Sequence, residues 1–353
     1  MRWLKYIIVF MFLFASGSRI LTVSAESRND AEADKVDVSH MLFGHIGDSY
    51  GWHITDWKGR HVTIPLPCIV YSRTTGWHAF MSSEVEHGQS YEGFTIAEEG
   101  RHKDKIIESA TGMRPFDISI TKNVASLMLT AILLIVLVLY AKRWYSRNDA
   151  REKAPGGFVG MVEMMVMMVN DDIIKESVGP EYRKYAPYLL TAFFFIFISN
   201  LLGIVPFFPG GANVTGNIAV TMVLALCTFL AVNMFADRHY WKEILWPDVP
   251  IFLKFPLPLM QLIEVFGIFT KPFSLMVRLF ANIMAGHAMI LGLVSVIFVT
   301  AKLGPVINGS MTAVTMLFGV FMDCLELLVA FIQAYVFTML SGVFIGMSRQ
   351  AEH

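Results

Sequence analysis

Residues 271–290 read KPFSLMVRLFANIMAGHAMI, a long apolar stretch that carries Arg278 near its middle and His287 nine residues further on. An arginine stays charged at ordinary pH, and a guanidinium group placed in hydrocarbon costs about 3 kcal/mol or more. A residue kept at that free-energy cost usually has a partner and a function inside the membrane. The stretch therefore predicts a membrane helix built around one permanent positive charge.

The composition agrees with a membrane location. Of the 353 residues, 55% are hydrophobic and 16% are charged, whereas soluble domains carry about 25% charged residues. The net charge of −1 conceals an uneven distribution, because residues 186–236 contain no Asp, Glu, Lys or Arg. The sequence therefore predicts an integral membrane protein.

The N-terminus has the three parts of a secretory signal peptide: basic Arg2 and Lys5, an apolar run over residues 6–15, and small residues that end at Ala25. We predict a signal peptide over residues 1–25, cleaved after Ala25. The alternative is an uncleaved anchor helix, for which the apolar run is short, because a bilayer span needs about 20 residues. With either interpretation, the following segment begins outside the cytoplasm.

Residues 26–118 predict a small β-rich extracytoplasmic domain. Aromatic and β-branched residues alternate in WHITDWKGRHVTIPLPCIVYS, residues 52–72, around a turn at Lys58-Gly59. This segment contains one cysteine, Cys68, so it must fold on its own core without an internal disulfide. Seven of the ten histidines also lie here, and because no pair has a tight metal-ligand spacing we expect scattered residues rather than a metal site: His40, His45, His53, His61, His78, His87 and His102.

The membrane domain is predicted over residues 119–353. Its first three apolar spans lie at residues 124–141, 185–207 and 217–236. Basic residues directly after the first span place its C-terminal end in the cytoplasm by the positive-inside rule. Residues 157–179 are too charged to span the bilayer and predict an amphipathic helix at the membrane surface.

The last two apolar stretches are longer than one perpendicular span requires. Residues 253–301 are interrupted by Pro256, Pro258 and Pro272, and residues 314–347 form the final stretch. Such lengths require helices that tilt, bend or re-enter. The predicted fold class is an all-α polytopic membrane protein with about five membrane-embedded helical segments, including a long tilted or re-entrant hairpin, preceded by the β-rich domain. The alternation of spans leaves the C-terminus in the cytoplasm.

A first polar stripe is expected on the helix around Arg278. Glu264, Lys271 and Arg278 are spaced by seven residues. Ser274 and Asn282 lie four residues to either side of Arg278. Because these spacings return to one face of a helix, all five side chains can face the same partner.

A second polar stripe is expected on the final helix, where Asp323, Glu326 and Gln333 recur at helical spacing. His287 and the glutamates can take and release a proton, whereas Arg278 cannot. This combination favours a proton relay with a barrier and so points to ion transport. A structural alternative is that the polar groups neutralise one another and only lock the helices together.

At these residues the chain resembles subunit a of the F-type ATP synthase, the stationary membrane subunit that forms the proton path beside the rotating ring of c subunits. The resemblance covers most of the chain from about residue 120 onward. SLMVRLFANIMAGH is similar to the family's signature helix with its obligatory arginine, here Arg278, and an asparagine, here Asn282. ELLVAFIQAYVF, with Glu326 and Gln333, is similar to the family's last helix.

One departure concerns the relay. Some members of the family carry an acid where this chain has His287, and a histidine where it has Glu326, so the pair is exchanged here. If the two helices touch, a carboxylate and an imidazole would still both be present. The relay would then keep its composition, while its local pKa values could differ.

The resemblance implies a stator proton channel with two half-channels. Arg278 would favour the ionised form of a ring carboxylate and would prevent protons from leaking directly between the half-channels. The half-channel open to the outside would involve Asn282, His287, Glu326 and Gln333, and the one open to the cytoplasm would involve Glu264 and Ser274. The implied partners are the c-subunit ring, b-type peripheral stalk subunits, the rest of the ATP synthase complex and the lipid bilayer of the bacterial inner membrane.

Two other functions stay open at this point. An ion-coupled secondary transporter would favour inverted repeats with paired broken helices, and the one irregular segment has no evident counterpart. An extracytoplasmic enzyme tethered by helices would need a catalytic motif, and neither HExxH nor GxSxG occurs. Without a GxxxxGK[ST] loop, the chain is not expected to be an enzyme by itself. We predict no cofactor, no metal site and no nucleic-acid partner.

Overall fold

The computed structural model describes residues 47–57, 60–85, 89–97, 102–149, 154–205, 210–245, 259–301 and 304–349. The predicted signal peptide, residues 1–25, lies outside the described residues. So do the turn at Lys58-Gly59 and two of the prolines singled out above, Pro256 and Pro258.

Short strands make up the β-rich segment, defined here as residues 47–120. The strands are β1 Gly51–Trp57, β2 Arg60–Pro65, β3 Pro67–Ser72, β4 Gly76–Met81, β5 Phe94–Ile96, β6 Ile106–Glu108 and β7 Phe116–Asp117. Their pairings are all antiparallel and form three small sheets, ordered β1-β2, β4-β3-β7 and β5-β6.

The core of this segment follows the alternation of β3. Cys68 and Val70 are fully buried and pack with Phe80 and Phe94, while the intervening residues of β3 are more exposed. The Cys68 thiol donates to the Leu66 carbonyl at 3.8 Å. Tyr50 completes the core, and its hydroxyl donates a hydrogen bond to the Asp117 carboxylate. Burial and this hydrogen bond raise the pKa of Tyr50.

The remainder of the described chain is helical. Within the described residues, four helices are long and apolar enough to cross a membrane, and a shorter apolar helix of 17 residues accompanies them. The helices are α1 Lys122–Tyr145, α2 Gly157–Met167, α3 Lys175–Val178, α4 Tyr182–Ile204, α5 Ile218–Met234, α6 Arg238–Leu245, α7 Leu259–Ala301 and α8 Pro305–Met347, with a π-helical turn at Met168–Ile174 joining α2 to α3.

The expected long hairpin is formed by α7 and α8, each of 43 residues, which pack along one another. Helix α4 fills the groove beside α8, and α5 packs against α7. The shared core is apolar and includes Leu189, Phe193, Leu275, Leu279 and Phe337. Helix α1 stands at the edge of this bundle and exposes most of its surface, as a lipid-facing helix would.

The ends of three helices are tied together by Arg349, directly after α8. Its guanidinium donates to the carboxylate of Glu181, before α4, and to that of Asp237, after α5, the latter at 2.8 Å. The hydrogen bond from Arg349 lowers the pKa of Glu181 below its ordinary value. The start of α4 and the ends of α5 and α8 therefore lie on the same side of the bundle.

The surface segment formed by α2, the π turn and α3 packs against the end of α8 through glycine. A Cβ built on Gly346 would lie 2.1 Å from the backbone oxygen of Ser177, and one on Gly342 would lie 3.1 Å from the Ser177 Cβ. Only glycine permits this close approach at position 346. The predicted amphipathic helix over residues 157–179 is thus a helical segment that contains a π turn and docks on the bundle.

We expect Gly346→Ala to lower the free energy of unfolding by about 1–3 kcal/mol, because the added methyl group meets backbone that cannot rotate away. The measurement is the thermal unfolding midpoint of the protein in detergent. Gly319→Ala is the matched control, since a Cβ at Gly319 meets open space and alanine suits a helix better than glycine. An unchanged midpoint for Gly346→Ala would contradict the contact.

Candidate functional site

Arg278 lies on the outer face of α7. An adjoining face is held against the bundle by Leu275 and Leu279, both buried. This contact turns Ser274, Arg278 and Asn282 outward, and all three are exposed. In the described part of the chain, Arg278 forms no ion pair with a carboxylate. Its charge is therefore available to a partner beside α7.

The stripe expected from sequence is divided in the structure. Glu264 is half-buried near the start of α7, where burial and its nearby charge raise the pKa of Tyr240 on α6. Lys271 turns toward the neighbouring helix and places Nζ 5.6 Å from the centre of the Phe344 ring on α8. The prediction that all five residues share one free face was therefore wrong for Lys271, because α8 attracts its cation to an aromatic ring.

His287 and Glu326 meet at the interface between α7 and α8. His287 Nδ1 is in ion-pair contact with Glu326 Oε1, although the angles are not those of a hydrogen bond. The side chains are 15% and 3% exposed, respectively. Glu326 Oε2 has no hydrogen-bond partner among the residues described. A buried carboxylate beside an imidazole can exchange a proton with it and retains one oxygen for a further donor.

Two glycines make room for this pair. A Cβ built on Gly286, next to His287, would lie 3.3 Å from Glu326 Oε1. On the other side, a Cβ on Gly203 of α4 would lie 3.9 Å from His287 Nε2. Three helices, α4, α7 and α8, therefore converge on the imidazole and the carboxylate.

Gln333 is buried two turns beyond Glu326 on α8, beside α4. Between these two residues, the Ala330 carbonyl accepts a hydrogen bond from Asn200 Nδ2 at 3.2 Å. Thr215 Oγ1 donates in turn to Asn200 Oδ1 at 2.6 Å. Buried polar groups thus continue from the His287–Glu326 pair to the loop between α4 and α5.

A second run of buried polar residues leads from the same pair toward the tip of the hairpin. Asp323 is buried one turn before Glu326, and Ser295 and Thr300 are buried on α7. At the tip, Thr300 Oγ1 donates to Asn308 Oδ1 at 3.2 Å across the two helices. Buried polar side chains therefore continue on α7 and α8 from the pair toward the hairpin tip.

Sequence reasoning missed Asn200 and Thr215 as site residues. Thr215 belongs to the loop GGANVTGN, residues 210–217, which reads as ordinary turn chemistry, and the loop does contain such turns: Asn213 Oδ1 accepts from the Gly216 amide at 2.8 Å. The available signal was Asn200 itself. An amide in an uncharged membrane helix needs a hydrogen-bond partner, and here that partner lies on α8.

The predicted site residues therefore form three groups. His287 and Glu326 are in contact, and Gln333 is buried two turns further along α8, whereas Ser274, Arg278 and Asn282 share the outer face of α7. Glu264 stands apart, 14 residues before Arg278, a separation of about 21 Å along a helix. The arrangement combines a titratable pair, a permanent cation at the surface and a distant carboxylate.

Comparisons with known proteins show the family of the chain. A family model described as ATP synthase A chain matches residues 124–346, and a second, described as a domain of unknown function, matches residues 41–125. The chain is 40% identical over 247 residues to ATP synthase subunit a of Chlorobium phaeobacteroides, covering 67% of this chain and 68% of that protein.

Two further relatives are similar. One is ATP synthase subunit a 2 of Chlorobaculum tepidum, 41% identical over 234 residues, which cover 66% of this chain and 64% of that protein. Another is ATP synthase subunit a of Myxococcus xanthus, 40% identical over 243 residues, which cover 67% of this chain and 75% of that protein. The chain therefore belongs to the ATP synthase subunit a family.

Proposed function

We propose that the chain is the stator proton-channel subunit of a rotary F-type ATP synthase and passes protons to and from a ring of c subunits through two half-channels. The observation that carries this proposal is the buried contact between His287 on α7 and Glu326 on α8, with Arg278 presented on the outer face of α7. Membership of the subunit a family argues against the alternative of a secondary transporter.

The inlet half-channel is built from the buried polar groups around the pair. Protons reach Glu326 and His287 beside the Asn200–Thr215 chain. The amides of Gln333 and Asn282 border the path from the pair to the outer face of α7 and can only donate or accept hydrogen bonds there. A carboxylate on the ring takes the proton there and becomes neutral. Neutralisation matters because an ionised carboxylate cannot enter the lipid without a large desolvation cost.

The outlet half-channel begins near Ser274 and leads to Glu264. Between inlet and outlet stands Arg278, whose permanent charge lowers the pKa of a ring carboxylate that approaches it. The carboxylate therefore releases its proton on the outlet side. The same charge repels a proton that would pass directly from inlet to outlet. Arg278 would then both promote release of the proton from the ring carboxylate and prevent proton leak between the half-channels.

The orientation follows from basic residues at the helix ends. Lys142 ends the apolar part of α1, Arg238 follows α5, and Arg349 follows α8. The bond from Arg349 to Asp237 supports placing two of these ends on one side, and the positive-inside rule makes it the cytoplasmic side. The β-rich segment then lies outside the cytoplasm, the C-terminus lies inside it, and the membrane is a bacterial inner membrane.

The outer face of α7 is the surface that meets the ring in this proposal. It is exposed at Ser274, Ala281 and Ala285 as well as at Arg278, and these small side chains allow a neighbouring helix to approach closely. Nucleotide chemistry falls to other subunits, because the sequence has no phosphate-binding loop. Peripheral stalk subunits of the b type would anchor the chain against the turning ring.

A crosslinking experiment tests this docking face. We expect Ala281→Cys to form a disulfide with a cysteine placed beside the ring carboxylate, in an assembled complex whose exposed Cys227 and Cys324 are changed to serine. Ile135→Cys on the exposed face of α1 is the matched control and should form none. Crosslinking at Ile135 but not at Ala281 would place the ring elsewhere. Crosslinking should also stop ATP-driven proton pumping.

A further inference from the structure

The β-rich segment is attached to the membrane helices through Trp52. This side chain, on β1, is 5% exposed and donates its indole N–H to the Gly210 carbonyl at 3.2 Å. Its ring packs with Leu66, which lies between β2 and β3, and with Ala212, which is fully buried. Gly210 and Ala212 belong to the α4–α5 loop, residues 210–217. The contact therefore joins the first sheet to the loop that leads into the bundle.

The α4–α5 loop is tightly folded onto α4. The Gly211 amide donates to the Leu202 carbonyl at 3.1 Å, and a Cβ on Gly210 would lie 2.3 Å from the Val205 carbonyl oxygen. The loop contains three further buried residues, Asn213, Val214 and Thr215. Because this loop is largely buried and held against α4, we expect a contact at one end to affect the position of the other.

The far end of the loop reaches the proposed inlet. Thr215 donates to Asn200, and Asn200 donates to the Ala330 carbonyl between Glu326 and Gln333. Contacts therefore run without a break from β1 through the loop and α4 to α8. Close to this line, Asn213 Nδ2 is buried without a hydrogen-bond partner in the described part of the chain.

From these contacts we infer that Trp52 is a positioning residue for the inlet half-channel. The β-rich segment uses it to hold the α4–α5 loop in place, which excludes water from the outer end of the loop and fixes the Asn200 amide against α8. The inference rests on the proposed function, because it takes the loop to border the inlet on the external side. It assigns to the β-rich segment a role in proton uptake.

The same segment supplies a matched control. Trp77 on β4 is 63% exposed and packs at a tilted angle against Tyr71 of its own sheet, with ring centres 5.0 Å apart. Both tryptophans belong to the β-rich segment, but only the Trp52 ring belongs to the cluster that includes Ala212. Removing Trp77 therefore reproduces the loss of a large aromatic residue without disturbing the loop.

The first measurement is the accessibility of Val214→Cys, a nearly isosteric probe at a fully buried loop position. The assembled complex, with Cys227 and Cys324 changed to serine, is treated from the external side with a membrane-impermeant thiol reagent. We expect Trp52→Ala to raise the labelling rate about tenfold, because the loop loses the aromatic ring that packs on Ala212 and opens locally. Trp77→Ala should leave the rate unchanged, and equal rates for the two variants would overturn the inference.

A second variant keeps the inference testable if Trp52→Ala does not assemble. Trp52→Phe retains an aromatic ring but cannot donate to the Gly210 carbonyl. We expect it to raise labelling of Val214→Cys to a smaller extent and to shift the dependence of ATP synthesis on external pH. A phenylalanine variant with the unchanged labelling rate and pH profile would also overturn the inference.

Proton pumping separates failure of the inference from failure of the proposed function. If Arg278→Ala abolishes pumping while both Trp52 variants behave like Trp77→Ala, the inference is wrong and the proposed function stands. If Arg278→Ala pumps normally, the proposed function is wrong, whatever the labelling shows. A purely structural role for Trp52 would reduce the amount of assembled complex without changing the pH profile of the complexes that remain.

Discussion

Replacement of Arg278 by alanine is expected to reduce ATP-driven proton pumping about 100-fold or more in complexes that still assemble, a loss typical of removing a preorganised charge from a reaction site. Without the cation, nothing at the outlet lowers the pKa of a ring carboxylate, so the carboxylate keeps its proton. The positive charge that separates the half-channels is also lost. Passive proton leak should therefore rise. Dye-monitored acidification of inverted membrane vesicles measures both quantities.

Two further arginine variants make this prediction specific. Arg183→Ala removes an exposed arginine at the start of α4, far in sequence from the site, and should pump normally. Arg278→Lys keeps the charge but not the planar fork of donors, and should remain strongly impaired. Normal pumping by Arg278→Ala would show that the arginine is structural and that the mechanism is wrong.

Glu326→Gln is expected to lower proton flux by a factor of about 100 or more, the usual effect of removing a general acid–base group. Glutamine preserves the shape that Gly286 accommodates, but it cannot exchange a proton with His287. The rate of ATP synthesis driven by an imposed pH gradient measures the loss. Glu176→Gln, which changes an exposed carboxylate on the surface segment, is the control and should have no effect.

Exchanging the two members of the pair provides a sharper test. His287→Glu alone brings two carboxylates together in a buried site, so one of them must be protonated. Glu326→His alone leaves two imidazoles. The double variant His287→Glu, Glu326→His restores one group of each kind and should recover part of the flux that each single variant loses, with a shifted pH profile. Strictly additive losses would show that the two side chains do not work as a unit.

The sequence predicted the apolar helices well, because a long run of residues without charges is a strong signal of a membrane helix. The predicted start of α8 was too late. The prediction began at residue 314, whereas the helix begins at Pro305. Polar residues near the start of α8 lower the hydropathy there, so the hydropathy pattern did not show where the helix begins. In the structure they bond to their own helix: Thr312 Oγ1 donates to the Asn308 carbonyl at 2.7 Å, and Ser310 Oγ to that of Ile307 at 2.9 Å.

The site was predictable where a single helix defines it. Periodicity alone grouped Ser274, Arg278 and Asn282, and all three are exposed on one face. Periodicity did not predict that Lys271 turns toward α8, because helical spacing carries no information about the side chains of a neighbouring helix. Contacts that join distant parts of the chain, such as the one between Trp52 and Gly210, leave no periodic trace in either sequence segment.

The length of α7 has a geometrical consequence. Its 43 residues extend about 65 Å, whereas the hydrocarbon core is about 30 Å thick, so a straight helix crossing it would incline by about 60° from the membrane normal. Glu264 and His287, about 35 Å apart along such an axis, would then be separated mostly sideways. The two half-channels would then open at different positions around the ring. A ring carboxylate must move along the arc between these positions, and this movement couples the passage of a proton to rotation of the ring.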